Sequence, residues 1–272
     1  MSPKAVFMDL DNTLLDSQKH VSKDNREALA TAASQGNYMI LCSGRPLSTA
    51  LPLVRDLRLD HTENYVICYN GALVYNVKDM VPVFQKPMEM ADVRTIFQES
   101  EQLGLHCHTY DSKDLLTRSI DRETQYYMSV TGISQRTVPN LPDGLTEPPF
   151  KVLTMDLDHT GTLDTLKSRV RNKLGDRVNA FYSCPEFLEF AAAGIDKGTG
   201  IQKLCPVLGI PLENTIGIGD SENDLPMLHV TGTSCCMANG TDACKQAADY
   251  ITKNDCDHSG VAEVISKFVL QE

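Results

Sequence analysis

Between Ala5 and Tyr69 short apolar runs alternate with stretches of helical periodicity, an alternation that confines the chain to a parallel α/β sheet. Ala5 to Met8 reads as a strand, Lys23 to Gln35 as a helix with Ser22 as N-cap and Gly36 just past its end, and Tyr38 to Cys42 as the next strand. Together these make a βαβ unit. A helix over Leu47 to Leu57 and a strand over Tyr65 to Tyr69 repeat the pattern. Asn70-Gly71, set between apolar runs, is then a hairpin signal that turns the chain out of the parallel arrangement.

From about Pro82 to Phe190 the order changes. Helix Met90 to Gly104, strands Leu105 to Tyr110 and Leu115 to Arg118, and a turn-rich Pro139 to Pro149 are followed by strand Lys151 to Asp156, helix Thr162 to Leu174 and strand Val178 to Tyr182. After Gly194 the alternation returns, with helix Thr199 to Leu208, strand Thr215 to Ile218, a helix from Glu222, strand Thr233 to Met237 and helix Val261 to Val269. The expected architecture is α/β: a doubly wound, mostly parallel core sheet from residues 1–82 and 191–272, with an inserted α+β domain at 83–190. A core split in this way predicts a cleft between core and insert that encloses a small molecule.

A net charge of -11 argues against nucleic acid or an anionic membrane as partner, since both need a clustered basic patch. The opening MSPKAVFMDLD enters the first strand without a charged-then-apolar leader, and no run approaches the ~20 apolar residues of a membrane span, so a cytoplasmic protein is expected. Nine cysteines without a CxxC pair read as reduced thiols, and Cys235-Cys236 as small core hydrophobes. His106 and His108 share one face of a strand, but no third ligand has suitable spacing, so their role is read as structural. No segment suggests a protein partner.

Chemistry concentrates at four places, each at a strand end or a nearby loop: Asp9 and Asp11; Ser43-Gly44-Arg45; Lys197 in GIDKG; and Asp220 with Asn223 and Asp224 in GIGDSENDL. A carboxylate attacking a phosphate monoester meets like charge, a repulsion of about 4 kcal/mol at 4 Å and an effective dielectric near 20. Cations must cancel it. Asp9, Asp220 and the backbone carbonyl of Asp11 suit Mg²⁺, which takes one or two carboxylates plus the substrate phosphate, and Lys197 adds a mobile positive charge. In this scheme Asp9 is the nucleophile of an aspartyl-phosphate, and Asp11 protonates the leaving alcohol and then activates water. The Ser43 hydroxyl, the Gly44 amide and Asn223 donate to phosphoryl oxygens, while Asp224 orients Lys197 or a metal-bound water.

DLDNT, the strand ending in SGR, the lysine of GIDKG and GDSEND resemble, in that order, the four motifs of the haloacid dehalogenase-like hydrolases. The insert resembles the large α/β cap (type IIB) of the Cof-like branch, and most closely that of its sugar phosphatases. YNGALV, FLEFAAAGIDKG and MANGTDACKQAADYIT extend the similarity over nearly the whole chain. The resemblance implies a Mg²⁺-dependent phosphatase of small phosphorylated metabolites, sugar phosphates foremost, with the cap choosing the substrate. Carried onto this chain, it makes Asp9 and Asp11 catalytic and Asp9, Asp11 and Asp220 metal-binding. Leu10, Ser43, Gly44, Lys197 and Asn223 then bind phosphate, Asp224 supports them, and Arg45, Asn70 and Glu189 recognise substrate. Asn12 stands where the family usually has glycine, and asparagine tolerates the left-handed backbone needed there.

Competing strings fail on context. Asp156-Leu157-Asp158-His159-Thr160 imitates the first motif, but it lies in the insert, whereas Asp9 has Ser43-Gly44-Arg45 one βα unit behind it. GIGIGD lacks the third glycine of a dinucleotide fingerprint, and GIDKG lacks the first half of a P-loop. Capping or solvated roles suit Asp9, Ser43, Lys197 and Asp220 one at a time, but not all four together in this order. Two other functions use the same aspartate: a phosphomutase, which returns the phosphoryl group to substrate, and a phospho-accepting switch, in which the acyl phosphate persists.

Overall fold

The computed structural model describes residues 2–60 and 64–270. Among the described residues the chain forms fourteen strands and nine α-helices. First come β1 (Ala5–Met8), α1 (Lys23–Ser34), β2 (Tyr38–Cys42), α2 (Leu47–Asp56), β3 (Tyr65–Cys68), β4 (Leu73–Asn76) and β5 (Val81–Gln85). The middle holds α3 (Met90–Gln102), β6 (His106–Tyr110), β7 (Leu115–Thr117), α4 (Arg122–Thr131), β8 (Gln135–Thr137), β9 (Lys151–Met155), α5 (Thr162–Leu174), β10 (Val178–Cys184) and β11 (Phe187–Ala192). The chain finishes with α6 (Lys197–Leu208), β12 (Thr215–Gly219), α7 (Leu225–Val230), β13 (Thr233–Cys236), α8 (Asp242–Ala247), β14 (Tyr250–Ile251) and α9 (Gly260–Phe268).

Two compact units result, one from Met1–Gly44, Ala50–Phe84 and Asp196–Glu272, the other from Arg45–Thr49 and Gln85–Ile195. The first is built on an eight-stranded sheet of order β14-β13-β12-β1-β2-β3-β4-β5. β14, β13, β12, β1, β2 and β3 run parallel, and β4 pairs antiparallel to β3 through the expected turn at Asn70-Gly71. All four residues of β1 are buried, because a central parallel strand is covered on both faces, which explains its unbroken apolar run. Ala5 and Phe7 join Ile40, Cys42, Ile67, Ile201, Leu204 and Met227 in a core beneath α6 and α7. On the other side α1 and α9 pack together, with Ser22 capping α1 as expected, its hydroxyl accepting from Asn25 N–H. Successive strands proceed outward from β1 in one direction while β12 lies against its opposite edge. The strand order therefore reverses between β1 and β12, the place where doubly wound sheets open a binding crevice.

The second unit is a six-stranded sheet of order β10-β11-β9-β6-β7-β8, antiparallel except for β7 beside β8. α3 and α5 pack on one another and against this sheet. The sheet keeps β11 as far as Ala192, two residues past the expected end of the insert at 190. α4 was not expected either. Its sequence RETQYYMSVT buries only Thr124 and Tyr127, too few apolar positions for a periodic signal, but Asp121 caps its start and left-handed Gly132 its end. All nine cysteines are free, and Cys235 and Cys236 are wholly buried in the core.

Candidate active site

β1 delivers Asp9 and β12 delivers Asp220, each just past the carboxyl end of its strand and on either side of the point where the order reverses. The backbone ladder runs one bond beyond β1, from Asp9 N–H to the Ile218 carbonyl at 3.0 Å, so the first carboxylate leaves a fixed backbone. Lys197 is the first residue of α6, placed there by Asp196, whose side chain accepts from Thr199 N–H at 2.7 Å. Gly71 makes room for that helix start: its φ is +99°, and a Cβ would lie 2.0 Å from the Asp196 carbonyl oxygen. The Asn70-Gly71 turn and the lysine-bearing helix thus approach closer than any side chain allows.

Lys197 is fully buried, and its Nζ lies 2.5 Å from Oδ1 of Asp9 and 2.5 Å from Oδ1 of Asp224. Asp224 ends the short helical turn Glu222–Asp224. Its Oδ2 accepts the Asp220 and Ser221 N–H groups at 2.9 and 3.1 Å, closing a capping box. It reaches under β12 only because residue 219 is glycine; a Cβ there would be 2.4 Å from the Asp224 carboxyl carbon. Thr13, fully buried, donates its hydroxyl to Oδ1 of Asp220 at 2.8 Å.

One oxygen each from Asp9, Asp220 and Asp224 falls within 4.8 Å of the others. Three carboxylates against one ammonium leave two negative charges uncompensated, which matches the charge and the oxygen preference of a divalent cation such as Mg²⁺. The titration of the group reflects the same excess. Burial pushes the Asp9 carboxyl up to about 7; Lys197 opposes that rise, while Asp224 and Asp11 add to it. Asp220 goes up to about 8 through burial, with Asp224 and Asp9 repelling its charge and Thr13 and Lys197 easing it. Burial works against the Lys197 charge too, but Asp224 and Asp9 outweigh it and hold the ammonium firmly protonated.

A second group adjoins by hydrogen bonds. Ser43, buried past β2, donates its N–H to Ile67 and receives Asn70 N–H on its carbonyl, at 2.9 and 3.0 Å. Gly44 lies against Asn70, whose side-chain nitrogen and oxygen would be 3.0 Å from a Cβ there. Asn70 in turn accepts from Asn223 Nδ2 at 3.3 Å, and Asn223 accepts from the Ser221 hydroxyl at 2.8 Å. Ser43, Gly44, Asn70 and Asn223 are thus brought together.

Leu10 is buried, and its carbonyl accepts Leu15 N–H at 2.8 Å. Asn12 does take the left-handed backbone, φ 60°. Asp11 turns its half-exposed carboxylate to Lys19 Nζ at 2.8 Å; the carboxylates that converge are Asp9, Asp220 and Asp224. Asp224 therefore both touches Lys197 and stands among the candidate metal ligands, a wider place than sequence reasoning gave it. That reasoning also missed Thr13, although it is the threonine of DLDNT. Arg45 is half-buried in the short 45–49 stretch that groups with the second unit. Glu189 lies on β11 of that unit, paired with Lys151 Nζ at 3.2 Å and accepting from the Ser183 hydroxyl at 2.8 Å. Among the described residues no lysine forms an ion pair with the rival Asp156; buried Lys151 on the preceding strand pairs with Glu189 instead. Burial raises the proton affinity of Asp156, but Thr160 and nearby backbone N–H groups bind the carboxylate and bring it below the usual range.

Asp9 and Asp220 thus stand on either side of the switch point of a doubly wound sheet, and buried Lys197 bridges Asp9 to Asp224. The family model of the haloacid dehalogenase-like hydrolases matches residues 6–265. A Streptococcus pyogenes serotype M6 protein described only provisionally as a phosphatase is 32% identical, over 99% of this chain and 100% of its own. A solved haloacid dehalogenase-like hydrolase from Bacteroides thetaiotaomicron is 32% identical with a TM-score of 0.89, covering 98% of this chain and 99% of that one. A subclass IIB sugar phosphatase of the same superfamily shares the fold, with a TM-score of 0.85 at 21% identity over 97% of this chain and 98% of its own. This chain belongs to the haloacid dehalogenase-like hydrolase family.

Proposed function

We propose that the protein is a phosphatase that hydrolyses phosphate monoesters of small metabolites, sugar phosphates foremost, through an aspartyl-phosphate on Asp9. The observation that carries this reading is the buried Asp9–Lys197–Asp224 bridge beside Asp220 at the carboxyl ends of β1 and β12. Asp9 attacks phosphorus while Lys197, held by Asp224, offsets charge gathering on the phosphoryl oxygens. Ser43, Gly44 and Asn223, together with the backbone at Leu10, donate to those oxygens. Asp11 protonates the departing alcohol and later takes a proton from the water that releases phosphate. Its carboxylate, paired with Lys19 and half-exposed, is within reach of solvent for proton exchange.

Asp9, Asp220 and Asp224 would hold Mg²⁺, with the Asp11 carbonyl as a further donor. Bound there, the cation supplies charge neutralisation between nucleophile and phosphate. Residues 83–190 would serve as the cap that selects the leaving group, with Arg45, Asn70 and Glu189 as recognition residues. No helix among the described residues is long and apolar enough to cross a membrane, and a cytoplasmic place of work belongs to the same proposal. The test is phosphate release from a panel of phosphorylated sugars and other metabolites, with Mg²⁺ and with EDTA. Metal-dependent turnover, highest on sugar phosphates, supports the reading; no turnover of any monoester overturns it.

A further inference from the structure

Along one face of β6, residues 106, 108 and 110 bring three polar rings into line, and α4 adds a fourth. His106 Nδ1 is 2.7 Å from Asp121 Oδ2, and His106 Nε2 is 2.8 Å from His108 Nδ1. His108 Nε2 is 2.9 Å from the Tyr110 hydroxyl, which donates to the Tyr127 hydroxyl at 2.7 Å. Each ring in the row shares a hydrogen bond with the next, so the directions of neighbouring bonds are coupled.

We infer that His106, His108, Tyr110 and Tyr127 form a two-state hydrogen-bond chain whose direction is set by a single proton on His106. Tyr110 has one proton and gives it to Tyr127, so its oxygen must accept from His108 Nε2–H. A neutral His108 then has only a lone pair at Nδ1, which must accept from His106 Nε2–H. His106 also donates Nδ1–H to the Asp121 carboxylate, so in this direction it holds both ring protons. When one proton leaves to solvent the accounting reverses. His106 keeps Nδ1–H on Asp121, His108 carries its proton on Nδ1 and donates back to His106, Tyr110 donates to His108 Nε2, and Tyr127 donates to Tyr110. His108 and both phenols stay neutral throughout, and the net change is one proton released.

The surroundings suit such a switch. His108 is fully buried, and burial, then the facing His106 and Lys151, press it far below the ordinary histidine range, which keeps it neutral. Lys151 of β9 also sits 5.0 Å over the Tyr110 ring and pairs with Glu189 of β11. His106 faces Asp121 and Glu123 at the start of α4 and Asp156 and Asp158 after β9, which together line a cavity of about 410 Å³. Packed against β6, α3 has Glu101 engaged with Arg118 and Glu99 with Lys173 and Arg169. Asp121, with its side chain 38% exposed, is the end of the chain open to solvent.

Long-range proton–nitrogen spectra of the histidine-labelled full-length protein, recorded across its folded pH range, read which ring nitrogens carry protons. The chain predicts one shared step, in which His106 passes from two ring protons to one at Nδ1 while the His108 proton moves from Nε2 to Nδ1. A His108 that keeps the same ring proton throughout, one that changes at a different pH from His106, or a His106 whose protons never change overturns the inference.

Discussion

The ammonium of Lys197 lies 2.5 Å from the Asp9 carboxylate with no exposed surface of its own, so the proposed nucleophile is held by a cation that water does not reach. The same ammonium holds Asp224, and so ties the end of β1 to the turn after β12.

Lys197→Met leaves Asp9 and Asp224 buried without their partner. Removing one member of a buried ion pair costs about 3–5 kcal/mol, and losing one charge donor at a reacting phosphoryl group costs about 10²–10³ in rate. Denaturant melts and steady-state turnover should show both losses. Lys197→Arg should not restore turnover, because a planar fork cannot replace a point charge seated between two carboxylates. Wild-type rates in the Arg variant would remove Lys197 from the chemistry.

Metal binding should strengthen as pH rises. Asp9 at about 7 and Asp220 at about 8 are both raised above 3.8. The metal-free fold therefore holds more protons here than the unfolded chain between those limits, and this contribution to stability falls as pH climbs through the window. Mg²⁺ takes the place of those protons. At a fixed concentration about a hundred-fold over its Kd the cation adds about 2.7 kcal/mol, or roughly 5–10 °C in Tm. Thermal melts should show that gain growing from pH 6 to pH 8 and shrinking in Asp220→Asn; a gain independent of pH would contradict it.

Thr13→Val keeps the shape of a fully buried side chain but strips Asp220 of its 2.8 Å hydrogen bond. Loss of a hydrogen bond that orients a metal ligand typically weakens metal affinity about 10–100-fold. Titration of Mg²⁺ against turnover should show the apparent activation constant raised within that range, with the fold intact by circular dichroism.

Gly71→Ala and Gly36→Ala both ask a side chain to sit at positive φ, +99° and +86°. At Gly36 nothing lies within 4 Å, and only the backbone penalty of about 1–2 kcal/mol applies. At Gly71 the new Cβ meets the Asp196 carbonyl that begins α6, so destabilisation should exceed about 3 kcal/mol and turnover should drop with the displaced lysine. Equal melting of the two variants would show that the close approach is not needed.

Much of this site was legible because its parts are local. Asp9 and Asp220 end apolar strands, and the strand-to-carboxylate step is written in consecutive residues. Asn70-Gly71 announced its turn by residue type alone. What escaped notice depends on contacts distant in sequence: Thr13 reaches Asp220 across 207 positions, and Asp224 joins the candidate metal-ligand group because Gly219 leaves it space. α4 was hidden because one wet, lightly buried helix offers no periodic stripe. The His106 to Tyr127 chain was half visible, two histidines at strand spacing, but Tyr127 comes to it only through that unexpected helix.

The central claim is that Asp9 takes the phosphoryl group, and the most direct measurement is Mg²⁺-dependent phosphate release by Asp9→Asn on the best substrate of the wild type. Phosphate release should fall at least about a thousand-fold with the fold retained, since no other group replaces a lost nucleophile. Turnover within a few-fold of wild type would contradict it, and would return Asp156 to consideration.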